Sequence, residues 1–210
     1  MLKCEIMEVI YLLNYKKMNR NEAELKFWVE HLKTAKTDYE VKQVYPEFAR
    51  FINEKIGRDC GVLDLGSGAY NTLGNRAGDI VLGVVCTDLL AKEYAELMHP
   101  KFCEVLYADM RDLKFTENRF KVVHCSNALD HCEEPFVAIK EMERVGEWVF
   151  LRHFKNVGKI EQYQGMHEFD IYMNDDGKMV ISDRGGNMQV YPEYTCWIDD
   201  KFIYAFKCTS

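Results

Sequence analysis

The chain has 210 residues, of which 48% are hydrophobic and 13% aromatic, and a formal net charge of -7. This is enough apolar material for one globular core, and it excludes a disordered or low-complexity chain. The negative balance disfavours a long nucleic-acid backbone as the main partner, and no apolar run is long enough to span a membrane.

The charge is uneven. Residues 1–60 carry 11 Lys and Arg against 10 Asp and Glu, whereas the rest carries 16 against 24. The larger, acidic part suits a cationic cofactor and a small substrate. The eight cysteines (Cys4, Cys60, Cys86, Cys103, Cys125, Cys132, Cys196 and Cys208) form no CxxC pair. Several lie in apolar runs, as reduced core residues of a cytoplasmic protein do. The opening MLKCEIMEVIYLL carries Glu5 and Glu8 and has no small-residue cleavage site, so no signal peptide is expected.

Residues 21–56 read as helical. Leu25, Trp28, Val29 and Leu32 share one helix face, and Asn21 with Glu24 three residues on suggests a capping box. A second helix is expected from Pro46, burying Phe48, Phe51, Ile52 and Ile56 and stopping at Gly57. From residue 61 the pattern alternates. Val-rich runs at 61–65, 80–88, 103–109, 120–126 and 147–154 read as buried parallel strands. Between them, LLAKEYAELM aligns Leu90, Tyr94 and Leu97, and PFVAIKEMERV aligns Phe136, Ile139 and Met142. Strand–helix alternation predicts a doubly wound α/β fold with a mostly parallel sheet. After residue 155, DIYMNDDGKMVISD predicts a hairpin turning at Asp176-Gly177. CWIDDKFIYAF predicts a second strand pair around Asp199-Asp200. The expected organisation is helical residues 1–56, an α/β core over 57–155 and an antiparallel β extension over 156–210.

The stretch GVLDLGSGAYNTLG, residues 61–74, places Gly66 and Gly68 directly after the first strand. In an open parallel sheet that is where ligands bind. The dinucleotide pattern G-x-G-x-x-G needs a glycine at 71, but Asn71 stands there. Asp64 precedes the first glycine by two, Asp88 ends the second strand at the ribose-hydroxyl position, and Asp109 ends the third. Acids at three successive strand ends suit a cationic nucleoside without phosphate, a description that S-adenosylmethionine fits.

VLDLGSG, CTDLL, YADMRDLKF and FKVVHCSNALDHCEEP, followed by EMERV, resemble in order the motifs of class I S-adenosylmethionine-dependent methyltransferases, over roughly residues 57–155. The resemblance is to the small-molecule, type 11-like branch. FWVEHL, NTLG, TDLLAKEY, NALDH and GMHEFD together resemble a bacterial subgroup linked to surface polysaccharide. The resemblance implies a Rossmann-like core with N-terminal helices as a lid, and S-adenosyl-L-methionine as cofactor, giving S-adenosyl-L-homocysteine. It implies that Asp64, Gly66, Ser67 and Gly68 hold the methionine end. Asp88 would bond the ribose hydroxyls, Leu89 would pack near the adenine, and Asp109 and Met110 would contact its edge. Ser126 and Asn127 would line the cofactor near its sulfonium. Two departures stand out: RVGEW is shorter than the usual turn before strand five, and Tyr70 replaces the third loop glycine.

The expected partner is a small polar acceptor, methylated at oxygen, such as a sugar or a phosphorylated or phosphoramidate capsule precursor. The state is expected to be monomer or homodimer, with no membrane. Among the histidines, His131 reads either as a group near the methyl or as a cap of the next helix. His167 reads as a base or substrate contact, or as a loop histidine held by Glu168. His153 reads as pocket-facing and His124 as structural, with His31 and His99 on the surface. Asp130, His131, His167 and Asp170 offer metal-ligand types, but no spacing motif demands a metal and none is expected. Arg152 suits a phosphate or carboxylate, or a surface ion pair; Phe27 and Trp28 suit a lid or plain packing. A nucleic-acid methyltransferase is disfavoured, because CSNALD lacks the prolines of the amino-methylating motif and no Pro-Cys pair or basic stripe occurs. A non-catalytic S-adenosylmethionine-binding module and a nicotinamide oxidoreductase are the other readings, the last opposed by Asn71.

Overall fold

The computed structural model describes residues 19–34, 45–69, 73, 80–96, 104–160 and 166–209. The expectations for Tyr70, Asn71, Leu97, His99, Cys4, Cys103 and the first eighteen residues lie outside this set.

Helix α1 spans Arg20–Thr34. Its capping box is set by Asn19 and Glu22, not by Asn21 and Glu24. The Glu22 amide donates to Asn19 Oδ1 at 2.9 Å, and the Asn19 amide donates to Glu22 Oε2 at 3.1 Å. The two-residue shift frees Glu24 for another purpose. Helix α2, Pro46–Phe51, starts at a proline and runs into a wider turn over Ile52–Ile56 that stops at Gly57, as expected.

Strands β1 (Gly61–Leu65), β2 (Gly83–Asp88), β3 (Val105–Tyr107), β4 (Val122–Ser126) and β5 (Trp148–Phe154) follow, with helices α3 (Ala91–Ala95) and α4 (Pro135–Val145) between them. Helix α5 covers Val157–Ile160, and strands β6 (Phe169–Met173), β7 (Met179–Asp183), β8 (Met188–Tyr191), β9 (Thr195–Ile198) and β10 (Phe202–Cys208) complete the chain. One seven-stranded sheet has the order β3-β2-β1-β4-β5-β10-β9. Its first five strands are mutually parallel, and β10 and β9 are antiparallel additions beside β5. The doubly wound expectation and both hairpins hold. However, β6, β7 and β8 form a separate three-stranded antiparallel sheet instead of joining the main sheet's edge.

Period-two burial explains the layering. On one face Leu63, Leu65, Val123, Cys125, Val149 and Leu151 pack with Ala138, Ile139, Met142 and Val145 of α4 and with Ile171, Met179 and Ile181 of the small sheet. The inward row of α4 thus includes Ala138 and Val145, while Phe136 is only partly buried. On the other face Val62, Val122, Phe150 and Tyr204 meet Phe48, Phe51 and Ile52 of the α2 segment. Each fully buried side chain of this size contributes about 1.5–3 kcal/mol. Both faces being covered leaves the carboxyl ends of β1, β2, β4 and β5 as the place where polar chemistry collects. The shortened Arg144–Trp148 turn lies at the opposite end of the sheet, where Thr209 Oγ1 donates to the Gly146 carbonyl at 2.6 Å.

Candidate active site

The loop after β1 is a backbone device. Gly66 and Gly68 both have φ 64°, a region that favours glycine. A Cβ on Gly66 would overlap the Ala128 side chain, and one on Gly68 would run into the Trp28 ring. Asp88 ties the loop to β2: its Oδ2 accepts from the Gly68 amide at 3.0 Å and its Oδ1 from the Leu90 amide at 2.9 Å. The Ser67 amide donates to the Thr87 carbonyl, and Thr87 Oγ1 donates to the Asp64 carbonyl. Burial, reinforced by the negative charge of Glu24, pushes the Asp88 carboxyl up to about 7 against the pull of those two amides. Ser67 Oγ is buried and has no hydrogen-bond partner among the described residues. Leu89, beside Asp88, is exposed for an apolar residue at the end of a central strand.

The Asp64 carboxylate engages the neighbouring strand. Its Oδ1 lies 2.6 Å from His124 Nδ1 on the adjacent strand, and the other ring nitrogen of His124 is hydrogen-bonded to the Tyr45 hydroxyl. This buried Tyr–His–Asp line joins the start of α2 to β1, which agrees with a structural His124. Arg152 packs over the rings of Phe202 and Tyr45, 3.4 and 4.6 Å from their centroids, and donates to Ser126 Oγ at 3.2 Å. It therefore belongs to an aromatic cage, not to a surface ion pair. Asp109 is gripped by Arg111, whose Nε and terminal nitrogen reach both carboxylate oxygens, and this lowers its pKa. Met110 packs into the core beneath Gly66. Asn127, at φ 50°, accepts with its Oδ1 from the Phe154 amide, so its side chain closes the end of β5 instead of facing the loop.

The histidines converge. His131 ends the Leu129–His131 turn after β4, and its ring lies 4.6 Å from that of His167. Asp130, 3% exposed, stands between His167 and His153: its Oδ2 is 3.7 Å from His167 Nε2 and its Oδ1 is 3.4 Å from His153 Nδ1. His131 Nδ1 is 3.5 Å from Glu24 Oε2. Burial opposes charge on His131, but Asp130 and Glu24 outweigh it and push its pKa up to about 9. Burial would likewise raise Asp130, yet the three surrounding imidazoles hold it well below the usual carboxylate range. The capping alternative for His131 fails, because the start of α4 has no side-chain cap. Glu168 pairs with Arg20, which also donates to the His131 carbonyl at 2.7 Å. Asp170 accepts from the Lys159 amide at 3.2 Å.

Helix α1 closes over both halves. Tyr94 donates to Glu24 at 3.3 Å, and Trp28 sits edge-on to Tyr94 and against Gly68. Glu24 is a site residue that sequence reasoning misplaced as a capping acid, and Asp130 was legible only as a metal-ligand type.

Residues 63–147 match the family described as the methyltransferase domain. This stretch, less than half of the chain, is similar to a methyltransferase domain. Such a domain takes S-adenosylmethionine as its methyl donor. No curated protein matches the sequence significantly. Among solved structures, the complex between the Haloferax volcanii Trm112 methyltransferase activator and its partner, described as a methyltransferase, aligns at 12% identity and TM-score 0.52, covering 91% of this chain and 97% of that one. That likeness extends the fold to nearly the whole chain. Burkholderia thailandensis 1,6-didemethyltoxoflavin-N1-methyltransferase, solved with its namesake compound and S-adenosylhomocysteine, aligns at 12% identity and TM-score 0.49, covering 89% and 87%. A protein of Anabaena variabilis, described as a methyltransferase from an antibiotic biosynthesis pathway, aligns at 17% identity and TM-score 0.40; half of this chain covers 45% of that protein's length. No helix among the described residues is long and apolar enough to cross a membrane.

Proposed function

We propose that this protein transfers the methyl group of S-adenosylmethionine to an oxygen of a small polar acceptor. A sugar or a precursor of a surface polysaccharide, such as a phosphorylated or phosphoramidate metabolite, fits the acidic core. The observation that carries this reading is the glycine loop tied to Asp88, with the orphaned Ser67 hydroxyl beside it, inside the methyltransferase domain. A buried hydroxyl without a partner costs about 1–3 kcal/mol. A ligand that bonds to it recovers that cost, and this is the fit expected of a donor site.

Bound S-adenosylmethionine supplies a methyl group on a sulfonium, activated for direct displacement. The protein's part is to hold, orient and exclude water. Asp64, Gly66, Ser67 and Gly68 are assigned the methionine end, Asp88 the ribose hydroxyls, Leu89 the face of the adenine, and Asp109 and Met110 its edge. Ser126 and the Asn127 backbone form the floor after β4. His131 and His167 are assigned to the acceptor side, where an imidazole backed by Asp130 takes the proton that the acceptor hydroxyl must lose. Helix α1 covers the site through Trp28 and Glu24. The assembly is assigned as a monomer or homodimer without nucleic acid.

Calorimetric titration with S-adenosylmethionine tests the donor assignment. Saturable binding is expected, weakened about 100-fold by Asp88→Ala, because two hydrogen bonds to a charged acceptor are lost. No binding, or binding indifferent to that substitution, refutes it.

A further inference from the structure

One ligand atom each from Asp130, His131 and His167 lies within 4.8 Å of the other two. Among the described residues, Asp130 Oδ1 and both ring nitrogens of His131 are buried and make no hydrogen bond. Asp130 Oδ1 faces His153 and His131 Nδ1 faces Glu24 at ion-pair range, which leaves His131 Nε2 as the buried atom in need of a partner. Two imidazoles and one carboxylate are the donor set of catalytic zinc and of non-haem iron(II), both of which keep coordination positions open.

The surroundings resemble the outer shell of a metal site, in which groups behind the ligands fix their orientation. Glu24 faces Nδ1 of His131, leaving Nε2 directed away from it. Arg20 holds the His131 carbonyl, and the Glu168 amide donates to the Asp130 carbonyl at 3.3 Å. His153 stands behind Asp130 Oδ1. Ligands about 2.0–2.2 Å from an ion lie roughly 3.3 Å from one another. The Asp130–His167 separation of 3.7 Å is already close to that, and small side-chain rotations close the rest.

We propose that Asp130, His131 and His167 bind one divalent ion of the zinc or iron(II) class, and that the acceptor's oxygen completes its coordination. This rests on the assignment of the cluster to the acceptor side, and it refines the proton-taking role of the imidazoles. With an ion present, both imidazoles serve as its ligands and neither takes the acceptor's proton. The coordinated acceptor hydroxyl then releases its proton to solvent. An oxygen lone pair forms the new bond to the methyl carbon, while the carbon–sulfur bond breaks with its electron pair left on sulfur. No electron is gained or lost by the ion.

The test uses the full chain, stripped with EDTA and titrated with Zn2+ by calorimetry and with Co2+ by visible absorption. One equivalent should bind. The cobalt spectrum should have ligand-field bands without thiolate charge transfer, which separates this site from the cysteines. Zn2+ should raise the unfolding temperature. His167→Ala and Asp130→Asn should each weaken binding at least 30-fold, with far-UV circular dichroism confirming that both fold. Absence of binding, thiolate charge transfer as the main signal, or undiminished binding in folded His167→Ala overturns the proposal. Titration of the stripped protein with S-adenosylmethionine separates the two readings. Donor binding without metal binding removes only the metal, and metal binding without donor binding removes only the donor assignment.

Discussion

The donor and acceptor sides of the site are built on opposite principles. On the donor side, Asp88 is held by nearby backbone: two amides donate to it, and the loop needs only glycines and a strand end. On the acceptor side, Glu24, Asp130, His131, His153 and His167 come from four separate segments and bury charge against charge with long, poorly satisfied contacts. The first arrangement stabilises a shape in the absence of any ligand. The second is costly in a static protein, because buried polar atoms go unpaired. Costs of that kind are concentrated where function requires them. This contrast supports the proposal that the histidine cluster serves chemistry and the glycine loop serves binding.

The largest expected effect separates the two sides outright. His167→Ala should lower methyl transfer by about 100-fold, the scale of a lost proton-transfer or coordinating group. It should leave S-adenosylmethionine affinity within about threefold, since Asp88 and the glycine loop are untouched. Radiolabelled methyl transfer to a panel of sugar phosphates and nucleotide sugars, run beside calorimetry, measures both. An equal fall in affinity would mean that the sides are not separable.

Why one side was legible and the other was not follows from the same difference. Asp88 could be found because it lies at a fixed distance from Gly66 along a strand–helix–strand unit, and β1 to β5 because buried parallel strands leave continuous apolar runs. His131 and His167 were identifiable by residue type alone. Their meeting was not, because it depends on how residues 166–168 pack against the turn after β4. Asp130 was legible as a metal-ligand type, but no spacing tied it to the histidines. Glu24 was hidden by a two-residue error: Asn19–Glu22 and Asn21–Glu24 have the same spacing, and only hydrogen bonds distinguish them. The Asp64–His124 pair needed the register of β1 on β4, and the separate β6–β8 sheet needed long-range pairing; neither can be read from periodicity.

A middle-sized effect probes the donor side through pH. An Asp titrates near 3.9 when unfolded, and Asp88 is pushed up to about 7 in the fold. The folded state therefore favours the protonated form, and this group's contribution to stability is lost as pH rises from about 4 through 7. Asp88→Asn cannot ionise. Its stability relative to the parent should rise by about 1–3 kcal/mol between pH 5 and pH 8, as urea unfolding at both values would measure. A pH-independent difference would mean that Asp88 is ionised throughout. Donor binding should run the other way in the parent, strengthening as Asp88 ionises toward pH 8, because ribose hydroxyls donate to a carboxylate.

The smallest effect reaches both sides at once, through the helix that covers them. Asn19→Ala removes one half of the α1 capping box and should cost about 1 kcal/mol. For a domain of this size that is a fall of roughly 2–4 °C in unfolding temperature, measurable by calorimetry. The first turn of α1 holds Arg20, which fastens the His131 carbonyl and Glu168, and the next turn holds Glu24. Fraying there loosens the cluster while Trp28, one turn further on, stays against Gly68. Methyl transfer should therefore fall about threefold or more with donor affinity unchanged, since the lost cap energy is drawn from the end of the helix nearest the acceptor. If affinity and turnover fall together, α1 moves as one body, and the division between binding and chemistry does not extend to the helix that spans it.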